Sequence, residues 1–186
     1  MHVRHWLRAA GLLGTICVAG CATTTVDFDR LPGGGAVMGQ STPVLEGGAV
    51  SAQSLINSQY ASEGLTFASG SPAVFAASFA PNVPSAPNVA CPTQANGTAG
   101  FSTPTEIRVT SDHICNVWAT ITASSGPATM KAFDASGNQI GPAVSSHGSS
   151  PGSAGAAETL HINACDIRRV ELSGTNYCFD DVKIRR

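Results

Sequence analysis

The sequence predicts an all-β protein built as an antiparallel β-sandwich, and three observations carry that prediction. β-branched and aromatic residues come in short runs of strand length. Gly, Ser, Pro and Ala separate those runs, with 20 Gly and 11 Pro in 186 residues. No long stretch keeps the 3.6-residue apolar period of a helix. Many short strands joined by turn-rich loops bury their apolar faces most simply as two stacked sheets.

Strands are expected at residues 24–28, 64–69, 73–79, 106–110, 116–123, 128–133, 159–163, 167–172 and 179–184, each a β-branched or aromatic run. A turn or two of helix fits only around residues 49–61, where Ser51 is placed to cap. Between two apolar runs lies Asp134-Ala135-Ser136-Gly137-Asn138, and Gly137 can take the positive φ that a hairpin turn demands. Residues 81–100 and 141–155 lack periodicity and read as long surface loops.

The N-terminus reads as targeting. Residues 1–8 carry His2, Arg4, His5 and Arg8 and no acid, and the apolar run 9–19 is shorter than the roughly 20 residues a spanning helix needs. Val18-Ala19-Gly20-Cys21 follows and resembles the lipobox of bacterial lipoproteins. Small residues there let the chain enter the peptidase, and the Cys21 thiol accepts the diacylglyceryl group. Fatty acyl chains such as palmitate then serve as a membrane anchor. The expected organisation is a signal peptide over 1–20, a lipidated tether over 21–25 and a β-sandwich domain over 26–186. Ala22 after the lipidated Cys implies, by that resemblance, sorting to an outer membrane of the cell envelope.

Charged residues make up only 12% of the chain and the net charge is −2, which argues against a nucleic-acid partner and against an extended basic surface for anionic lipid. Besides Cys21, the exported chain keeps Cys91, Cys115, Cys165 and Cys178. Four thiols in an oxidising compartment pair as two disulfides, and the absence of a CxxC spacing argues against zinc. Three connectivities are open. Pairing Cys165 with Cys178 is disfavoured if residues 166–184 form a plain hairpin, because Cys178 then sits near the turn and Cys165 at the far end.

Alternation assigns faces within the strands. In 116–123, Val117, Ala119, Ile121 and Ala123 share the face that packs into a core, and Trp118, Thr120 and Thr122 share the other. Trp118 is the only tryptophan outside the signal peptide, and an aromatic ring on a polar face offers a platform for a sugar, with Thr hydroxyls beside it. In the last strand the same alternation puts Asp180 with Val182 and Ile184, and a buried carboxylate must be paired, hydrogen-bonded or metal-bound.

Five segments in order carry a resemblance to a known family. They are residues 26–32 (Val-Asp-Phe-Asp-Arg-Leu-Pro), 56–67 (Ile-Asn-Ser-Gln-Tyr-Ala-Ser-Glu-Gly-Leu-Thr-Phe), 130–138, 167–174 and 179–184. Together they resemble exported bacterial jelly-roll modules of the galactose-binding-like type, seen in surface proteins sorted by PEP-CTERM signals. The resemblance implies a jelly-roll fold and leaves the activity open. Lipidation is expected to stand in for the sorting signal. It further implies that the first and last strands lie close together, where carboxylates often hold a structural calcium; Asp27, Asp29, Asp180 and Asp181 are the residues placed to supply it.

Catalytic patterns are weaker. Gly148-Ser149-Ser150-Pro151-Gly152, next to His147, matches G-x-S-x-G, but the residue after the serine must donate an N–H to the oxyanion and Pro151 has none. His113, His147 and His161 show no metallohydrolase spacing, and Glu46, Glu63, Glu106, Glu158 and Glu171 are scattered. The expected function is therefore that of an envelope-anchored non-catalytic binding module for a glycan or another extracellular ligand. The alternatives are a structural or adhesive envelope lipoprotein without a small-molecule site and, third, a hydrolase with a deep carboxylate-lined cleft.

Overall fold

The computed structural model describes residues 22–37, 39–40, 46–68, 72–76, 83–123, 125–148 and 156–186. The expected signal peptide, Cys21, Ser149 and Ser150 lie outside the described residues. The strands are β1 (Thr23–Val26), β2 (Leu65–Phe67), β3 (Ala73–Ala76), β4 (Asn88–Cys91), β5 (Thr105–Val109), β6 (Asn116–Ala123), β7 (Thr129–Phe133), β8 (Gln139–Ser145), β9 (Glu158–Asn163), β10 (Arg169–Ser173) and β11 (Cys178–Arg185). One sheet runs β3-β4-β11-β6-β9, with β1 also paired to β11, and the other runs β2-β5-β10-β7-β8. Pairing between these strands is antiparallel. From β4 onward the chain changes sheet at every connection except the β7–β8 hairpin. The facing orders β4-β11-β6-β9 and β5-β10-β7-β8 are those of an eight-stranded jelly roll, the fold class expected from the sequence.

Local chemistry sets the connections. The β7–β8 turn closes with the Asp134 N–H donating to the Asn138 carbonyl (3.0 Å), Gly137 at φ 82°, and the Asp134 carboxylate accepting the N–H groups of Ser136 and Asn138 (2.8 and 2.9 Å). Ser51 caps a single 3₁₀ turn at Ala52–Ser54, and a second turn at Ala61–Glu63 stops at Gly64, whose φ is 87°. Two strands fall where long loops were expected: β4 inside 81–100 and β8 at the start of 141–155. At the other end, Thr23–Thr25 already belong to β1, so the sheet begins within the stretch assigned to the tether.

In β11 the alternation expected from the sequence breaks. Asp180 pairs with Thr120 and Lys183 with Trp118, so three steps along β11 match two along β6. The extra residue makes a β-bulge, with Asp181 at φ 48°. Phe179 before the bulge and Val182 and Ile184 after it therefore all face the core. This corrects the expectation that Asp180 shares a face with Val182 and Ile184.

The disulfides are Cys91–Cys178 and Cys115–Cys165. Cys165 and Cys178 do not pair, as expected, but the reason differs. Residues 166–184 are not a hairpin: β10 and β11 belong to different sheets and the chain crosses between them. The crossover is pinned by Tyr177, whose hydroxyl accepts the Thr105 N–H (3.0 Å) and donates to the Leu172 carbonyl (2.8 Å).

Inward faces of both sheets make one core, including Val117, Ala119 and Ile121 of β6, Met130 and Ala132 of β7, and Val170 and Leu172 of β10. Phe28, fully buried, anchors its N-terminal side, with ring centroids 5.8 Å from Tyr60, 5.8 Å from Phe67 and 5.6 Å from Phe179. A smaller cluster, Ala73, Phe75, Val89, Cys91 and Cys178, packs around the first disulfide.

Candidate functional site

The central strand β6 lies between β11 and β9, and its alternation sends Trp118 to the face opposite the core, as its sequence predicts. The ring is partly exposed. Directly across on β9 stands His161, its imidazole parallel to the indole with 4.5 Å between centroids and 4° between planes. From β11 the Arg185 guanidinium sits 5.3 Å from the indole centroid. These neighbours come from the two strands flanking β6. His161 Nε2 lies 3.0 Å from Asn116 Oδ1, a hydrogen bond that fixes the imidazole plane. Lys183 pairs with Trp118 across β11, and Thr25 of β1 pairs with Lys183.

The two threonines expected beside Trp118 are not available to a ligand. Thr120 is 5% exposed and Thr122 2%, and the Thr120 hydroxyl lies 2.9 Å from that of Thr159. This corrects the expected triad of Trp118, Thr120 and Thr122. The residues that do surround the ring are His161, Arg185, Asn116 and Lys183. Part of that set was marked in the sequence, since Thr159, His161 and Asn163 alternate as polar residues along an expected strand.

The four aspartates expected near the first and last strands do gather, because β1 pairs with β11 from Thr23↔Arg185 to Val26↔Val182. Asp27, Asp29 and Asp180 each accept N–H or O–H donors. Asp27 accepts the Asp29 N–H (3.1 Å), and Asp29 accepts the Asn88 N–H (2.9 Å). Asp180, fully buried, accepts the Ser85 N–H (3.2 Å), the Ser85 hydroxyl (2.8 Å) and the Asp181 N–H (2.8 Å). Among the described residues no three His, Cys, Asp or Glu side chains are placed to hold a metal ion. The set does not fit a calcium site. Nearby, the buried Tyr60 hydroxyl has no hydrogen-bond partner among the described residues; burial, then the charges of Asp27, Asp29 and Asp180, push its pKa up and keep it neutral.

Burial also lifts Asp180 to about 7, against the pull of its Ser85 and Asp181 donors. An unfolded Asp titrates near 3.9. The folded form therefore holds its proton where the unfolded form has lost it. This contribution is fully present below about pH 4 and is lost as pH rises through about 7, by roughly 2–4 kcal/mol. Asp180→Asn, which cannot ionise, is expected to flatten the fall in melting temperature between pH 4 and 8. Parallel profiles for the two proteins would contradict the assignment.

For catalysis, the nearest approach to a base–carboxylate pair is His147 with Glu158, whose Nδ1 and Oε2 are 2.8 Å apart on the surface. It adjoins the G-x-S-x-G pattern, where Pro151 still offers no oxyanion donor. Two clefts open on the N-terminal side. One, about 220 Å³, is lined by Asp27, Arg30, Tyr60 and Glu63; the other, about 270 Å³, is more apolar and includes Leu31, Val37, Leu55 and Ile56.

No protein-family model and no curated protein matches the chain. Among solved structures, a mutant of CBM29-2, a family 29 carbohydrate-binding module, is similar over 88% of this chain and 92% of its own, with 7% identity and a TM-score of 0.37. At that score the likeness decides nothing about this chain.

Proposed function

We propose that this chain is an envelope-anchored, non-catalytic binding module that holds a glycan on the outer face of its six-stranded sheet. The observation that carries this reading is the row His161–Trp118–Arg185 on β9, β6 and β11. It combines a partly exposed aromatic ring with planar hydrogen-bonding groups on paired strands. Saccharides present C–H and hydroxyl groups alternately, and such a surface meets both. The anchor rests on the sequence: Val18-Ala19-Gly20-Cys21 supplies the lipid acceptor, and Ala22 favours an outer membrane. Among the described residues no helix is long and apolar enough to cross a membrane.

Two experiments test the reading. Cys21→Ser is expected to move the protein from the membrane fraction to the soluble envelope fraction; unchanged membrane association would remove the lipid anchor from the account. The released protein is then applied to a glycan array, where saccharide binding that Trp118→Ala abolishes is expected. Binding to intact envelope without any glycan hit would favour the structural or adhesive role instead.

A further inference from the structure

We propose that the glycan taken by this face is anionic, a polymer bearing uronic-acid carboxylates, with Arg185 and Lys183 as the groups that select it. The inference rests on the reading of the Trp118 face as the ligand surface and names the class of ligand. Neutral sugars are commonly held by stacking on an open aromatic face. Here the parallel His161 ring covers one face of the indole, and the Arg185 guanidinium carbon also lies over the ring, 5.3 Å from its centroid. The patch therefore offers N–H donors and positive charge.

Arg185 is the informative residue. Arg108, Arg168 and Arg169 each lie within 4 Å of a carboxylate, and Arg185 has no ion-pair partner among the described residues. Its guanidinium carbon instead lies over the indole, 5.3 Å from the ring centroid, a cation–π contact that leaves the charge unneutralised. A guanidinium placed this way keeps N–H groups for a bidentate carboxylate. Lys183, opposite Trp118, adds a second cation; its contact with Asp181 is a long 3.8 Å. Thr23 and Thr25 of β1 pair with Arg185 and Lys183, and Asn116 of β6, itself paired with Asn163 on β9, pairs with Arg185, so a hydroxyl stands beside each cation and an amide beside Arg185. The chain's net charge of −2 hides this local excess of positive charge.

The test uses the full exported chain with Cys21→Ser, titrated with polygalacturonate and with its fully methyl-esterified form, which keeps the sugar backbone and removes the charge. Binding of the acid form is expected, with at least a tenfold weaker affinity for the ester, a comparable loss in Arg185→Gln, and weakening with added salt. Equal binding of both forms, lost in Trp118→Ala but untouched in Arg185→Gln, would overturn the anionic ligand and leave the glycan reading standing. Failure to bind either polymer or any arrayed glycan would overturn both. Vesicles containing phosphatidylglycerol form a third arm, because Thr23, two residues from the lipid acceptor, pairs with Arg185. Vesicle binding that depends on Arg185, without polymer binding, would assign the cations to lipid headgroups and overturn the proposal. Each variant is checked against the parent by thermal melt, so that a loss of binding is separated from a loss of fold.

Discussion

Replacing Cys91 and Cys178 together by Ala is expected to lower stability by about 4–5 kcal/mol, the chain-entropy figure for a closed loop of this length. The bridge spans 87 residues of sequence. Its structural role sharpens the expectation. β4 and β11 share a single registered pair, Phe179↔Ala90, so the covalent link restrains the β3–β4 edge where backbone pairing to the sheet is sparse. Both cysteines also lie inside the smaller apolar cluster, at 1% and 7% exposure. A domain of this size is stable by about 5–15 kcal/mol, so the loss removes a large share. The Cys115–Cys165 bridge closes 50 residues beside β6 and β9, which are already paired from Asn116↔Asn163 to Ile121↔Glu158. Losing it should leave the native sheet order intact. Denaturant midpoints of the two double variants, measured without reductant, check this; a loss below about 1 kcal/mol for the Cys91/Cys178 variant would contradict it.

Phe28→Ala is expected to cost about 3–5 kcal/mol, the range for truncating a fully buried aromatic ring. Phe28 has no exposed surface and touches three other rings, those of Tyr60, Phe67 and Phe179. These come from separate segments, so the void cannot be closed by one neighbour moving in. Its backbone lies at φ 58°, an unfavourable region for any side chain with a Cβ. Alanine bears much of the same backbone cost, so the substitution isolates the loss of the ring. A chemical-denaturation ΔΔG under about 1 kcal/mol would show that the aromatic cluster is not the anchor of the N-terminal side.

The fold was legible where local chemistry and tertiary demand agree. The β6 run, the Asp134–Asn138 turn and the capping role of Ser51 are all marked by residue type and spacing, and the structure follows them. β4 was hidden because its four residues sit among Pro81, Pro84, Pro87 and Pro92, which locally signal a loop; long-range pairing with β3 and β11 makes it a strand. β8 was hidden by Gly141 and Pro142. It lies at the edge of its sheet, where a missing N–H can face solvent, and Gly141 takes φ 69°. The bulge at Asp181 had no signal at all, since the left-handed residue there is not a glycine.

The candidate site was half legible for the same reason. Alternation along one strand identified Trp118 as outward-facing, and that needs no partner strand. Which residues stand beside it depends on register between β6, β9 and β11, and a one-residue bulge in β11 decides where Lys183 and Arg185 fall. The burial of Thr120 and Thr122 is likewise a tertiary effect that period-two reasoning cannot anticipate.

Chemical-shift mapping of the ¹⁵N-labelled Cys21→Ser chain with a saccharide that it binds locates the ligand surface. With the Trp118 face as that surface, the indole Nε1–H of Trp118 is expected to move first, with shifts at His161, Asn116, Lys183 and Arg185 and little change elsewhere. Shifts gathered in the clefts beside Asp27 and Leu31, with the Trp118 indole unmoved, would contradict it.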